Sequence, residues 1–384
     1  MEKVKFKPGM KTLFVLLTLC SLLTISVNKA QAQSENPAKK DIKNPVVPQT
    51  SKKVAAKEIT VTMPTSRCGF PDPSTPFLET GGRRFDVCYP VAHKTHVIRE
   101  KPADIAWRIV VLENEYLRVE FAPELGGMIW RLFDKVHNVD VLHKPGKVSP
   151  TMDGFGGTYT PGGLELNYPY AHSVTNTWPR KTEFKENNDG SATYTVSEWE
   201  RNGRTEWCMV FTVKPGESRL KQEVTLYNRG KLPASFVYWG NARVPATTDT
   251  HWIEPEAMVS EHGGTHVFTW PVFRDIDFSL LKNDPEIIGM YFLEPRYNFF
   301  GLNNLKTGSG MVHFAEHRDV PGKKLWNWGR QPMDGNRKWN PSLEGGIWEG
   351  EPHMFGYNYG EVQSGRMVNQ EHLEWLMPEE CIKW

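Results

Sequence analysis

Residues 107–135, WRIVVLENEYLRVEFAPELGGMIWRLFDK, carry apolar side chains at every second position on either side of a Pro-Glu-Leu-Gly-Gly interruption. Successive side chains of a β-strand leave opposite faces, so a period of two reads as strand, turn, strand. Leu117, Val119 and Phe121 share one face, with Arg118 and Glu120 on the other. After the glycines, Met128, Trp130 and Leu132 alternate with Ile129, Arg131 and Phe133. Both faces of this second strand are bulky, which predicts that it lies buried between layers. Gly126 and Gly127 supply the dihedral freedom for a sharp reversal or a bulge, and Asp134-Lys135 opens the next polar turn.

Downstream the same pattern recurs in SATYTVSEWE, RTEWCMVFTV, RLKQEVTLYN, ASFVYWGN, IIGMYFLE and GMVHFAE, each short and bounded by Gly, Pro, Asn or Asp. No apolar run at helical spacing with caps and no repeat of fixed length follows Trp107. The chain is therefore expected to be all-β. So many antiparallel strands predict a large antiparallel two-sheet sandwich; a propeller, the other option, lacks its blade-length repeat.

The 384 residues are 39% hydrophobic and 24% charged, enough for a large core. Residues 1–32 combine Lys3, Lys5, Lys7 and Lys11 with the apolar run LFVLLTLCSLLTISV and Ala30-Gln31-Ala32. That is the pattern of a secretory signal cleaved before Gln33, and the run is too short to favour a membrane span. Its removal takes five lysines and one glutamate from a formal charge of +1 and leaves −3. Such a balance attracts neither nucleic acid nor an anionic membrane. Residues 33–57, rich in Lys, Pro, Gln and Ser, read as a flexible linker. Residues 58–104 read as an extended segment lying across the outside of the sandwich domain of 105–384. In an oxidising compartment Cys68 and Cys88 are the best disulfide pair, flanking a Pro/Gly-rich segment with little core of its own.

Four blocks in order, LENEYLRVEFAPELGGMIWRLFDK, PGGLELNYPYAH, PGKKLWNWG and GEVQSGRMVNQ, resemble the signature blocks of a secreted bacterial family of unknown function with a galactose-mutarotase-like domain. The resemblance covers residues 60 to 384. It implies a β-supersandwich whose concave sheet binds sugar, as in aldose 1-epimerases, domains of β-glycosidases and some polysaccharide lyases. Fold alone does not choose among these. Some members of the family continue into tetratricopeptide repeats, and its blocks run on past the present C-terminus, so Trp384 is expected to lie inside the last strands.

Residues that suit a sugar site fall in three places. The segment 154–172, GFGGTYTPGGLELNYPYAH, holds Tyr159, Glu165, Asn167 and His172 among glycines and prolines. A loop of that composition is costly to order unless it shapes a site, and the plain alternative is an ordinary surface loop. In YNYGEVQSGR, Tyr359, Glu361 and Gln363 alternate onto one face, where Tyr and Gln would orient a carboxylate acting as general base. Structural pairing of Glu361 with Arg366 or another basic residue is the other reading. Trp326 and Trp328, with Trp339, sit among turn residues, and an indole face packs well on the C–H face of a pyranose.

His262 and His266 mimic metal-ligand spacing but not on a helix, so no metal is expected, and the glycine spacing fits no dinucleotide fingerprint, so no cofactor is. His313 and His317 share a strand face by parity and could supply an acid. The expected partner is a saccharide or polysaccharide. The expected activity is acid–base chemistry on glycans, as a hydrolase, lyase or epimerase. Glu361 and Glu165 would form the carboxylate pair with His172 as the alternative acid, while Trp326, Trp328, Tyr159, Asn167, Tyr359 and Gln363 would bind substrate. A non-catalytic glycan-binding protein using the same residues is the competing expectation.

Overall fold

The fold, from a computed structural model, is described for residues 53–66, 102–152, 158–170, 172–173, 175–201, 203–264, 266–283, 288–327, 359–369 and 372–384. Among them the regular structure is strand, apart from one 3-10 turn at Leu281–Asn283. A large sheet runs in the order Ala55–Thr65, Ala103–Glu113, Leu117–Ala122, Met128–Asp134, Leu164–Asn167, Trp239–Pro245, Tyr359–Gly365, Gly322–Asn327, Ile288–Phe292, Met258–Glu261 and Val267–Thr269. Every pairing along that path is antiparallel.

Alternation divides the sheet into two faces. One face carries Val110, Val119, Phe121, Ile129, Leu166, Ala242, Val244, Val362, Leu325, Met290 and Val259, all in a single core cluster. Two smaller sheets cover it. The first pairs Lys181–Glu186, Ala192–Glu200, Thr205–Val213, Leu220–Asn228 and Cys381–Lys383, and delivers Tyr194 and Phe211 onto Phe121 at ring distances of 4.0 and 5.4 Å. The second pairs Thr250–Ile253, Phe299–Asn304 and Gly310–Phe314, and supplies Trp252, Phe300 and Leu302. This is the all-β antiparallel sandwich that the alternation predicts.

The hairpin of 107–135 forms as read except on one face: the register skips Trp130, so Leu132 pairs opposite Val119 and packs on the main core with Ile129 instead of sharing the side of Met128 and Trp130. Ile129 faces the main core, while Met128 and Trp130 face a second cluster with Met63, Ile109, Val111 and Val148, so the strand is buried on both sides. A bulge falls between Glu120 and Phe121. Gly126 and Gly127 both adopt φ +66°, and a Cβ on Gly126 would meet the Asn176 carbonyl oxygen at 2.1 Å. The double glycine thus makes the reversal and also admits the 175–180 segment against it.

Two further expectations need correction. Residues 55–57, read as linker, belong to the Ala55–Thr65 strand, and that strand is the edge of the large sheet rather than a segment across its outside. Its register with Ala103–Glu113 pairs all eleven residues, and its alternating Ile59, Val61 and Met63 pack on the second cluster. Trp326 is not among turn residues either: it lies in the Gly322–Asn327 strand, in alternation with Lys324. The proposed Cys68–Cys88 disulfide lies outside the described residues. Cys208 and Cys381 are free thiols.

Candidate functional site

The face of the large sheet turned away from the main core is polar and aromatic at its centre. Cross-strand register sets its residues in rows. One row runs Glu165, Asn241, Gln363, Lys324, Tyr291, Ser260 across six strands. The next row toward one end is Arg243, Glu361, Trp326, Gly289, and on the other side Asn167 stands beside Trp239. Alternation puts all of these on one face because it has put Leu166, Ala242, Val244, Val362, Leu325 and Met290 on the other.

Arg243 is the hub. Its Nη2 donates to Glu165 Oε2 at 2.8 Å and its Nε lies 3.7 Å from Glu361 Oε1. Gln363 Nε2 donates to the other Glu361 oxygen at 2.6 Å. Glu165 also accepts from Asn176 Nδ2 at 2.7 Å and lies 2.9 Å from His172 Nδ1. Burial by itself would raise the pKa of Glu165, but the charges of His172 and Arg243 and the hydrogen bonds from both outweigh it and hold the pKa at about 2. Burial likewise works to lower the Arg243 pKa and is outweighed by Glu165 and Glu361, so the guanidinium stays charged.

Glu165 is therefore a fixed anion, and the ring nitrogen of His172 facing it carries a proton. The His172 ring lies 4.8 Å from Tyr159, and its backbone adopts φ +51°, a left-handed conformation uncommon outside glycine. Glu361 is 6% exposed, flanked in its row by Arg243 and Trp326.

Aromatic groups line the other half of the face. Lys324 Nζ lies 4.8 Å from the Trp239 ring, 4.8 Å from Tyr291 and 5.2 Å from Trp326. Trp326 spreads over Gly289, where a Cβ would meet its Cε3 at 2.5 Å, and His262 meets its edge at 5.0 Å. Tyr359 stacks on His143 at 5.1 Å. Several buried polar atoms of this face, Asn167 Nδ2, Trp239 Nε1, Asn241 Oδ1 and Gln363 Oε1, have no hydrogen-bond partner among the described residues.

The structure thus brings Glu361, Glu165, His172, Tyr159, Asn167, Tyr359, Gln363 and Trp326 to one face of one sheet. Trp328 and Trp339 lie outside the described residues. Glu165 departs from its expected part, since its oxygens are taken by Arg243, His172 and Asn176, and such a carboxylate orients its neighbours rather than exchanging protons. His313 and His317 do not join the group. His313 is on the Gly310–Phe314 strand of a covering sheet, 5.3 Å from Phe300, and His317 Nδ1 is 2.7 Å from Asn298 Oδ1. No cluster of three or more His, Cys, Asp or Glu fit for a metal occurs among the described residues.

Sequence reasoning passed over Trp239, Asn241 and Arg243, although WGNARVP alternates large or polar residues with Gly240, Ala242 and Val244. That alternation was the available signal. Asn176 and Arg180, in the irregular stretch TNTWPR, give no such signal.

Comparison with solved structures places the fold among known ones. A TPR-domain containing protein from Parabacteroides distasonis ATCC 8503 is 23% identical with a TM-score of 0.72, over 87% of this chain and 54% of that one, so this chain spans about half its length. The Slr1438 protein from Synechocystis sp. PCC 6803 is 10% identical with a TM-score of 0.52, over 72% of this chain and 92% of that one. A galactose mutarotase-like protein from Clostridium acetobutylicum is 10% identical with a TM-score of 0.49, over 72% and 93% respectively. At such identities the likeness is one of fold. Residues 85–378 match a family model described as Domain of unknown function (DUF5107).

Proposed function

The chain belongs to the DUF5107 family, and from that premise we propose that it binds a saccharide on the polar face of its large sheet and performs acid–base chemistry there. Glu361 is the base and His172 the proton-exchanging partner. Arg243 and Glu165 hold the two in place.

The observation that carries this reading is the shared guanidinium. Arg243 touches both Glu165 and Glu361, and Glu165 in turn fixes His172, so one buried network orients two groups able to move protons. A sugar hydroxyl both donates and accepts, and the buried, unpartnered amide and indole atoms of Asn167, Asn241, Gln363 and Trp239 comprise both kinds of partner. Trp326 supplies a ring against which a pyranose can pack. The mixture of oriented polar atoms and aromatic surface suits a saccharide better than an apolar ligand.

A second reading, binding without turnover, is favoured by one observation: three aromatic rings gather around Lys324, away from Glu361's own row neighbour Arg243. Export to the periplasm or the medium belongs to the same proposal and is supported by the signal-like pattern of residues 1–32. The deciding experiment exposes the purified mature protein to a glycan panel and records binding and product release together. Release of product or anomeric interconversion supports the enzyme; binding without either supports the second reading; no binding to any glycan overturns both.

A further inference from the structure

Two side-chain amides on the polar face have their polarity imposed by their neighbours. Arg180 Nη2 donates to Asn176 Oδ1 at 2.9 Å, and a guanidinium can only donate. The oxygen of Asn176 must therefore face Arg180, and its NH2 must face the site, where it donates at 2.7 Å to Glu165 Oε1 and at 2.7 Å to Asn167 Oδ1. With its oxygen so engaged, Asn167 turns Nδ2 away from Asn176, and that atom is buried with no partner among the described residues. Arg180 is itself held by the Gly126 carbonyl at 2.9 Å, by Glu198 at 3.1 Å and against the Trp207 ring at 4.7 Å.

The same logic applies across the face. The Glu361 carboxylate accepts from Gln363 Nε2, so Gln363 presents Oε1, buried and unpartnered among the described residues, as an acceptor. Asn167 is 1% and Gln363 4% exposed, and one strand separates theirs. Strand spacing and rise set their Cα atoms about 12 Å apart, a gap that one ligand ring with a hydrogen bond at each end can span.

We infer that Asn167 and Gln363 determine sugar specificity as a pair of opposite polarity, Asn167 donating to a ligand oxygen and Gln363 accepting from a ligand hydroxyl. Arg180, through Asn176, is the positioning residue that sets the first of these. The inference rests on the saccharide reading of this face. It requires of the sugar a free hydroxyl at the Gln363 end, whereas any oxygen, substituted or not, serves at the Asn167 end.

The test is calorimetric titration of the mature protein with methyl glycosides of glucose, galactose, mannose, xylose, N-acetylglucosamine and glucuronic acid. Asn167→Asp, which replaces the donor by an acceptor at equal size, and Asn167→Leu are each expected to weaken the best binder at least tenfold. Asn176→Ala is expected to weaken it several-fold, and by clearly less in the Asn167→Leu background, because the part of its effect that passes through Asn167 is then lost while the part through Glu165 remains. In the unmodified protein, the side-chain NH2 resonances of Asn167 should shift on binding while those of Gln363, turned to Glu361, stay. This holds whether or not the variants fold. Wild-type affinity in Asn167→Asp, an undiminished Asn176→Ala effect in the double variant, or a Gln363 NH2 shift as large as that of Asn167 overturns the inference and leaves the saccharide reading standing. Failure of every glycoside to bind overturns that reading, and the inference with it.

Discussion

Arg243 and Glu165, 78 residues apart in the chain, meet at 2.8 Å in the middle of the large sheet with side chains 2% and 4% exposed. Such a pair is worth little against a well-packed apolar substitute, yet breaking it from one side leaves a charge uncompensated in the interior. Arg243→Met should therefore destabilise the fold by about 3–5 kcal/mol, since it strands Glu165 and Glu361 together. Urea denaturation measures the loss, and adding Glu165→Gln should recover part of it.

Replacing Glu361 by Gln keeps the shape of the side chain and removes the proton-transfer group. If the protein turns over a glycan, the rate should fall by about a hundredfold or more while affinity changes little. Turnover and titration of the same variant check both halves, and unchanged turnover would remove Glu361 from the mechanism.

Gly289→Ala would place a methyl group 2.5 Å from Trp326 Cε3 and 3.0 Å from His262 Cβ. The indole has to move, at a cost of about 1–3 kcal/mol typical of overpacking. Near-ultraviolet dichroism should report the changed ring environment, and glycan affinity should fall with it.

On the core side of the sheet, Lys323 Nζ binds Glu254 at 3.4 Å and Glu256 at 3.0 Å. Burial raises the Glu254 pKa to about 7, against the pull of the Glu256 amide and of Lys323. Burial lowers the His313 pKa to about 4, helped by the charge of Lys323. A carboxyl raised from 4.5 contributes stability that is present below that pH and lost as pH rises to 7. A histidine lowered from 6.5 contributes stability lost as pH falls through 4. Between these limits the two slopes oppose. Glu254→Gln should make stability rise with pH from 4.5 to 6.5, by up to about 1.4 kcal/mol per unit. His313→Gln should make it fall, and denaturation at several pH values distinguishes the two.

Export predicts that the secreted protein begins at Gln33. Mass spectrometry of material from the medium or periplasm checks this, and a chain beginning at Met1 or carrying lipid on Cys20 would refute it.

Strand positions were legible in the sequence because a period of two is a local property, and burial on alternate faces imposes it residue by residue. Leu117, Val119 and Phe121 point where alternation sends them, and so do Tyr359, Glu361 and Gln363. The Ala55–Thr65 strand was passed over, although Ile59, Val61 and Met63 alternate with Thr60, Thr62 and Pro64 and pack on the second cluster; the stripe is short and its first half is exposed at an edge.

By itself the sequence determined the all-β class, the sites of reversal and, where no bulge intervenes, which residues of a strand share a face, because each depends on neighbours a few positions away; the bulge that turns Leu132 to the side of Ile129 had no local mark. Which strands lie side by side was decided by tertiary structure alone. Register between Trp239–Pro245 and its two neighbours sets Arg243 beside Glu361 and Asn241 between Glu165 and Gln363, and no local pattern encodes that pairing. The same holds for charge. Glu165 is ordinary in sequence, and only burial beside Arg243, His172 and Asn176 makes it a fixed anion, since the fields that hold it ionised come from residues brought close by the fold.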